Sequence, residues 1–447
     1  MKRNIALCFL LASLHPLQAQ TYSFKTPESS APYAIRIVEQ GVSCLFPISP
    51  RKSPASMFRQ VFLNTDLAPF DSVEYTLAGQ AKWLAAGEDE KNTVQAFYAK
   101  ANGVERIEFL VTDKLGTIQT RFSKTAADFS PSFPKPVKNL KNIGLAFLNN
   151  PGSGMVLVQP FQWRGSVLQR GRIFSLRTDD GRPLWTSTAP ILSHVVVTDS
   201  LLIGMTTAVT GGGTPLYSIH FVDKASGRLL KTSALTAGNG GPRDIAVFTS
   251  NGQELMVAGS DYQYGARNGR FYMTMYNLRG ERIFDAIDSA ARLSTRRMHL
   301  MGSVFNQDGN LVLVGEGWKA DATRAVAATA ASFLLTAAVG IGPRVYMGLD
   351  HKVDQVVFAT LSPGDGKLLD FRSFPVGPWY NYGALLTEGS HAMIQVGNQV
   401  ISYDANDPAR PPVLFTSLRD RESLVLTPAG PLINQRSGNY HTLRRVH

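Results

Sequence analysis

The stretch Phe221-Val-Asp-Lys-Ala-Ser-Gly227-Arg-Leu-Leu230 shows the unit from which this chain is built. An apolar strand leads into a tight turn that ends in glycine, and a second apolar strand follows. The same pattern occurs at 111–118, 176–185, 276–284 and 361–369. A sheet unit that is too small to bury its own apolar face has to pack against copies of itself. The sequence therefore predicts a repeat protein made of β-sheets.

Aligning these turns extends the repeat to four strands, which we call A to D. The clearest copy spans 244–284, and Gly252 marks its A–B turn. Four strands in roughly 45 residues are typical of one blade of a β-propeller. Copies of this unit lie near 80–124, 143–188, 193–235, 243–288, 298–375 and 381–418.

The two flanks of these copies, 33–78 and 420–447, form either a seventh copy or parts of a seventh and an eighth. We expect a single all-β propeller domain over 20–447 with seven antiparallel blades, and an eight-bladed ring is the alternative. Rings of this kind are closed by pairing strands from both chain ends. The runs 58–63 and 73–76 are the predicted partners of 423–426 in such a shared blade.

The N-terminus has the features of a secretory signal peptide. Lys2 and Arg3 precede a short apolar core, and Ala19 provides a small residue at the cleavage position. We expect residues 1–19 to be removed, with the protein exported to the periplasm or beyond. The mature chain would keep only Cys44, in an apolar run, so packing replaces disulfides.

The chain is basic, with a formal net charge of +11 from 45 Lys and Arg against 34 Asp and Glu. The basic residues are scattered, and the densest spots are the pairs at 296–297 and 444–445. This distribution indicates a generally basic surface. We therefore expect no nucleic-acid partner.

The 298–375 copy is longer than the others because of an insertion at 318–350, between strands B and C. Its part 325–343 is Ala-rich and uncharged, and Gly340 and Gly342-Pro343 would end a helix there. We favour a helix or hairpin packed on the ring or on a partner over a mobile lid. Membrane contact through 325–343 is the least favoured interpretation, because Ala and Thr are weakly hydrophobic and a span would split a blade.

Sequence motifs for catalysis, metal binding or cofactor binding are sparse. Gly315-Glu-Gly317-Trp-Lys-Ala320 imitates a dinucleotide-binding fingerprint, but that site requires a parallel sheet, and the neighbouring units are hairpins. There is no G-x-S-x-G elbow, no H-E-x-x-H motif and no pair of histidines at ligand spacing. We predict no catalytic residue, no metal site and no cofactor.

The glycine-turn phrase resembles the repeat of quinoprotein-type β-propellers, in which Asp, Gly and a Leu-Trp end recur in each blade. Leu184-Trp185 keeps that end here, whereas Leu230-Lys231 and Leu369-Asp370 depart from it. The resemblance implies the fold. A quinone-dependent dehydrogenase of that family would carry an adjacent cysteine pair and a calcium-binding acidic cluster, and this chain has neither. The chain also resembles secreted bacterial propellers that lack the quinoprotein active site.

Polar residues begin the predicted A strands, which line the central channel of a propeller. Together they could form a polar mouth that holds an ion, a ligand or water. The interpretation that we favour is that they only solvate a water-filled channel. These residues are Asn142, His194, Asp244, His299, Tyr382 and Glu422.

A second candidate is an aromatic surface suited to sugar stacking or to a protein contact. Its members are Tyr262, Tyr264, Arg267, Tyr272, Trp379 and Tyr380, with Tyr382 nearby. Packing of loops is the alternative role for these residues.

From these features we expect an exported propeller that binds a protein or glycan through the loops of one face, with the insertion as an added recognition element. The alternative is an enzyme at the channel mouth that acts on a glycan or other small molecule. In that case Asp244, Glu422 or the two histidines would serve as acid and base. Two carboxylates within about 10 Å across the mouth would favour the enzyme.

Overall fold

A computed structural model describes most of the chain between Thr21 and Arg445. The described residues are 21–27, 34–38, 41–50, 53–148, 150, 154–164, 167–209, 215–235, 244–250, 252–260, 271–288, 298–320, 351–379, 384–419, 421–427 and 430–445. They form eight antiparallel sheets with very little helix. The predicted β-propeller with four-stranded blades is confirmed.

The first four blades follow the chain from its N-terminal side. Blade 1 consists of β2 (Ala34–Val38), β3 (Gly41–Pro47), β4 (Ala55–Asn64) and β5 (Pro69–Ala78). Blade 2 consists of β6 (Gln80–Glu88), β7 (Thr93–Ala101), β8 (Val104–Thr112) and β9 (Ile118–Lys124). Blade 3 consists of β10 (Ile143–Leu148), β11 (Met155–Arg164), β13 (Phe174–Arg177) and β14 (Pro183–Thr186), with β12 (Val167–Arg170) paired to β11. Blade 4 consists of β15 (Ser193–Val197), β16 (Leu201–Val209), β17 (Pro215–Asp223) and β18 (Leu229–Leu235).

The other four blades complete the ring. Blade 5 consists of β19 (Asp244–Ser250), β20 (Glu254–Ser260), β21 (Phe271–Asn277) and β22 (Arg282–Asp288). Blade 6 consists of β23 (Met298–Phe305), β24 (Leu311–Ala320), β25 (His351–Leu361) and β26 (Leu368–Trp379). Blade 7 consists of β27 (Ala384–Glu388), β28 (His391–Val396), β29 (Gln399–Asp404) and β30 (Val413–Ser417). Blade 8 consists of β31 (Glu422–Thr427), β32 (Gly430–Ser437), β33 (Tyr440–Arg445) and β1 (Thr21–Lys25).

The blade count is therefore eight, the stated alternative to the favoured seven. Seven was wrong because residues 34–78 form a complete blade of their own. The first strands of successive blades contact one another, as in β15 with β19 and β19 with β23, so these strands line the axis. Each of the eight apolar clusters lies between two neighbouring blades, so the core of the molecule is a ring of blade interfaces.

The ring is closed by the N-terminal strand. β1 pairs with β33 over five residues, from Thr21 opposite Arg444 to Lys25 opposite Tyr440. The predicted shared blade was correct in its C-terminal run but wrong in its N-terminal partners, because 58–63 and 73–76 belong to β4 and β5 of blade 1. A five-residue strand carries too little pattern to be recognised in the sequence.

A buried aromatic stack holds this closing strand in place. The Phe24 ring lies 4.5 Å from that of Phe46 and 4.9 Å from that of His441, measured between ring centroids. Cys44, Leu443 and His441 are fully buried beside it. Burial raises the pKa of the Cys44 thiol to about 12, in agreement with the packing role expected for this residue.

The closing blade should weaken in acid because of His441. Burial, with a smaller effect from Arg436, lowers the pKa of His441 to about 4, against about 6.5 in an unfolded chain. Between these values the unfolded chain binds a proton that the folded chain does not, so the unfolding free energy falls as the pH falls. The loss is at most ~3 kcal/mol by linkage.

Urea unfolding at pH 7 and pH 4.5 measures this loss. The variant His441→Phe keeps a ring against Phe24 but cannot titrate, so its unfolding free energy should depend less on pH than that of the wild type. Burial also lowers the pKa of His220. His220 is present in both proteins, so its effect cancels in the comparison. An identical pH dependence in the two proteins would contradict the role of His441.

The glycine of the recurring phrase joins each blade to the one before it. Gly181 has φ +69°, and a Cβ there would lie 2.2 Å from the Phe122 ring of blade 2. Gly227 has φ +68°, and its Cβ would lie 2.4 Å from the Trp185 ring of blade 3. A left-handed turn and a close aromatic contact both require glycine. The repeated glycine is thus part of the blade interface as well as part of a turn.

The long connection between blades 2 and 3 is folded onto the ring. It contains the one-turn helix α1 (Ala126–Phe129), which begins with a capping box between Thr125 and Asp128, and two 3₁₀ turns. Phe129 and Leu140 of this connection are buried in the cluster between the two blades. Among the described residues, no helix has the length and apolar character needed to span a membrane.

The insertion of blade 6 follows β24, whose last residue, Ala320, pairs with His351 of β25. The predicted segment 318–350 thus overlaps the last three residues of β24, and 321–350, including the Ala-rich part 325–343, lies outside the described residues. The stretch from Gly315 to Ala320 is antiparallel strand with a register shift between Gly317 and Trp318, so it does not form the phosphate loop that its glycines imitate.

Candidate functional site

The ring has two faces, which can be told apart because successive strands of a blade run in opposite directions. The A strands begin on what we call the upper face, and the B–C connections share that face. The A–B and C–D turns lie on the lower face, because each strand runs antiparallel to the one before it. The starts of the A strands and the strand ends that flank the insertion of blade 6 therefore belong to the upper face, and the glycine turns belong to the lower face.

The predicted mouth residues stand at or just before the starts of inner strands, as expected from the alignment. Asn142 and His194 are exposed, and His194 has φ +49° with its ring 6.5 Å from that of Phe248 in the next blade. Asp244 and His299 occupy strand starts, but their side chains lie outside the description, as does Tyr382 altogether.

The carboxylate of Glu422, the last predicted mouth residue, already has partners within the protein. Its side chain is 1% exposed and lies 3.3 Å from the Arg444 guanidinium. The other carboxylate oxygen accepts a hydrogen bond from the Arg419 backbone N–H at 2.7 Å. A carboxylate held by an arginine and a backbone amide is suited to stabilising its blade.

The predicted aromatic surface falls mostly on residues outside the description, namely Tyr262, Tyr264, Arg267 and Tyr380, together with the side chain of Trp379. Tyr272 is 1% exposed and packs in the cluster between blades 4 and 5, so its proposed place on the surface was wrong. It lies on β21, a third strand that is covered on both faces by neighbouring blades, where aromatic side chains go to the core.

A cleft that sequence reasoning missed lies on the lower face, between blades 1 and 2. Its volume is about 260 Å³. The inner strand of blade 1 and the turns of blade 2 bring charged and apolar side chains to it. The lining consists of Arg36, Val38, Gln60, Phe62, Phe70, Glu88, Glu90, Thr93, Asp113, Lys114 and Leu115. We call it the Arg36 cleft.

Three charges form a chain along this cleft. Arg36 Nη2 lies 2.5 Å from Glu88 Oε1, and Lys114 Nζ lies 3.2 Å from Glu88 Oε2. Lys114 also donates to the backbone oxygen of Asp89 at 3.0 Å. One carboxylate is thus shared by two cations, which leaves this triad with a net positive charge.

One nitrogen of the Arg36 guanidinium takes no part in this chain of charges. Its Nη1 is buried and has no hydrogen-bond partner among the described residues. Burial lowers the pKa of Arg36, and the Glu88 carboxylate opposes that effect. An unpaired buried donor costs about 1–3 kcal/mol. Because Nη1 is closed to solvent, the guanidinium has to turn toward the cleft before an acceptor on a ligand removes this penalty.

The floor of the cleft is a saturated network of amides and a phenol. Gln60 donates to Ser43 Oγ at 2.8 Å, and its Oε1 lies 2.7 Å from both the Tyr75 hydroxyl and Gln95 Nε2. The Tyr75 hydroxyl also lies 3.1 Å from the Gly116 oxygen of the next blade. These groups hydrogen-bond to one another, so the floor of the cleft is rigid. Arg36 Nη1 differs from them because it has no partner among the described residues.

One wall of the cleft is apolar and reaches the surface. Phe70 is 43% exposed and Leu115 is 44% exposed, while Phe62 behind them is buried. The rings of Phe62 and Phe70 lie 6.3 Å apart. Apolar walls with a few directed polar groups are typical of small-molecule sites.

Asp89 fixes the turn that carries the acidic side of the cleft. It is buried, and its Oδ1 accepts from the backbone N–H of Lys91 and Asn92 at 2.8 and 2.6 Å. Its Oδ2 accepts from Gly154 N–H at 3.2 Å and from Thr178 Oγ1 at 3.0 Å, both in blade 3. The turn that holds Glu88 and Glu90 is therefore anchored to the next blade.

A second cavity, of about 340 Å³, lies between blades 6 and 7. Its described lining is apolar apart from Gln399, and includes Phe374, Ile401 and Leu414. The part of its lining that the structure describes offers no charged group to orient a ligand, in contrast to the Arg36 cleft.

The sequence matches no protein-family profile and no curated protein. Similar solved structures include a europium-containing methanol dehydrogenase, with a TM-score of 0.42 and 11% identity over 93% of this chain and 84% of that chain. The quinohemoprotein alcohol dehydrogenase from Comamonas testosteroni has a TM-score of 0.43 and 11% identity, covering 95% of this chain and 76% of that chain.

The β-propeller domain of the Trilobed protease from Pyrococcus furiosus is also similar, with a TM-score of 0.42 and 10% identity over 87% of this chain and 99% of that chain. Dehydrogenase propellers are thus among the structural neighbours. At identities this low the likeness concerns the fold alone.

Proposed function

We propose that this protein is an exported β-propeller that binds a small molecule in the Arg36 cleft. The observation that carries the proposal is the net positive triad of Arg36, Glu88 and Lys114 on the wall of the cleft, in which Arg36 Nη1 is buried without a partner among the described residues. A binding site that is formed before the ligand arrives loses little entropy on binding, and the anchored turn and the saturated floor provide such preorganisation.

Binding fits the observations better than catalysis at the channel mouth. The enzyme hypothesis relied on Asp244, Glu422 and two histidines as acid and base. Glu422 is committed to Arg444 and to a backbone amide, which leaves it poorly placed to exchange protons with a substrate. A protein or glycan partner at the upper face, with the insertion as recognition element, stays a hypothesis.

Export is part of the proposal, and one structural feature supports it. The closing strand begins at Thr21, immediately beyond the expected cleavage after Ala19. Removal of residues 1–19 would leave this strand, and with it the closure of the ring, intact. The intact mass of the protein recovered after export from a bacterial host would show whether Gln20 is the first residue.

The cleft is tested by ligand-induced thermal shifts with a panel of amino acids, carboxylates and simple sugars. Arg36→Met keeps the length of the side chain but removes its donors. The matched control Arg59→Met removes an exposed arginine of the same blade that pairs with Glu74.

We expect at least one class of compound to raise the melting temperature of the wild type and of the control, and not of Arg36→Met. The lost charge-assisted hydrogen bond corresponds to an affinity about ten-fold weaker or more. If no compound separates Arg36→Met from the control, the proposed function is wrong.

A further inference from the structure

The charges around the Arg36 cleft have both signs, and their arrangement narrows the class of ligand. This inference rests on the proposed function. Two cations and three carboxylates line the cleft. The cations, Arg36 and Lys114, share the Glu88 carboxylate, while Glu90 is exposed two residues further along the same turn.

The inner end of the cleft requires a hydrogen-bond acceptor. The unpartnered Arg36 Nη1 is attached to a guanidinium, and Lys114 uses two of its three ammonium hydrogens on Glu88 and Asp89. Since the triad of Arg36, Glu88 and Lys114 is net positive, a carboxylate is a stronger acceptor there than a hydroxyl.

The rim of the cleft disfavours a ligand that is only an anion. Glu90 and Asp113 add two negative charges, so the lining as a whole is net negative. Asp113 Oδ1 is occupied by its own turn, because it accepts from the backbone N–H of Leu115 and Thr117 at 3.0 and 2.9 Å. Glu90 is therefore the carboxylate best placed to meet a positive group on the ligand.

The third feature of the site is its apolar wall. Phe70 and Leu115 expose large hydrophobic side chains at the mouth of the cleft, and burying them against a ligand would be favourable. A single molecule that uses the inner donors, the acidic rim and this wall carries a carboxylate, a cationic group and an apolar group close together.

We propose that the Arg36 cleft binds a free α-amino acid with an apolar side chain. Its carboxylate accepts from Lys114 Nζ and, once the Arg36 guanidinium turns toward the cleft, from Arg36 Nη1. Its ammonium pairs with Glu90, and its side chain packs against Phe70 and Leu115. The three groups of such a ligand branch from one carbon, and the three recognition elements all line the same cleft of about 260 Å³.

Titration calorimetry with three probes tests each contact. L-phenylalanine has all three groups, 3-phenylpropionate lacks the ammonium, and phenethylamine lacks the carboxylate. We expect L-phenylalanine to bind most tightly and Arg36→Met to weaken it about ten-fold or more. Glu90→Gln should weaken L-phenylalanine several-fold and leave 3-phenylpropionate unchanged or improved, because only the first compound has an ammonium for that carboxylate.

Glu281→Gln is the matched control, since it removes an exposed carboxylate from a lower-face turn of blade 5. The melting temperature of each variant without ligand shows that it is folded. If 3-phenylpropionate or glucose binds at least as well as L-phenylalanine and depends on Arg36, the cleft is a binding site but the amino-acid class is wrong. If none of the probes, nor any compound of the wider panel, depends on Arg36, the proposed function fails as well.

Discussion

Removal of residues 20–26, which include the closing strand β1, is expected to open the ring and to destabilise the protein by several kcal/mol. The deletion removes the ladder between β1 and β33 and takes Phe24 out of a stack with Phe46 and His441. Loss of one buried phenylalanine alone costs about 3–5 kcal/mol. β33 would also become an unpaired edge, which favours association between molecules.

Chemical unfolding and hydrogen exchange measure this effect on the chain that begins at Gln20, with Phe24→Ala as an intermediate variant. The deletion should abolish protection of the β33 amides that face β1, and Phe24→Ala should reduce it. A deletion variant with unchanged unfolding free energy and protected β33 amides would show that β1 does not hold the ring closed.

Gly181→Ala is expected to cost about 1–3 kcal/mol more than Gly309→Ala, although both replace a left-handed glycine in a turn. The two φ angles are similar, +69° and +77°. An added Cβ at Gly309 meets nothing within 4 Å, whereas at Gly181 it would lie 2.2 Å from Cγ of Phe122. Both variants bear the backbone strain, and only Gly181→Ala disturbs a blade interface.

Cγ of Phe122 is attached close to the backbone and its ring stacks on Phe109 at 5.0 Å, so the ring cannot simply swing aside. Urea unfolding of the two variants gives the difference directly, because the shared strain cancels. Equal losses of unfolding free energy would mean that the blades adjust to the added methyl group and that the recurring glycine serves the turn alone.

The repeat itself could be recognised in the sequence because it rests on local chemistry. Glycine at a left-handed turn position and alternation within short strands recur wherever the same hairpin recurs, as at Gly227 and Gly366. The blade count could not be settled in this way. It depended on whether the weakly patterned segment 34–78 forms four strands, and on a closing strand of five residues.

The candidate sites also include features that local sequence reveals and features that depend on contacts between distant segments. Polar residues at the starts of A strands were found because the alignment gives their position along each strand, and topology then places them on one face. The packing of Tyr272 between blades and the pairing of Glu422 with Arg444 depend on neighbours distant in sequence. Arg36 is 52 residues from its partner Glu88, and no spacing rule joins them.

By itself, the sequence determined that this chain builds antiparallel four-stranded sheets and repeats them. Hairpin turns and the alternation of apolar and polar side chains along a strand each depend on only a few neighbouring residues. Only the tertiary structure decided how many blades close the ring, which strand closes it, and where a cleft with an unpaired guanidinium nitrogen opens. Those properties arise where different blades meet, and there burial and pairing are set by contacts between segments that are far apart along the chain.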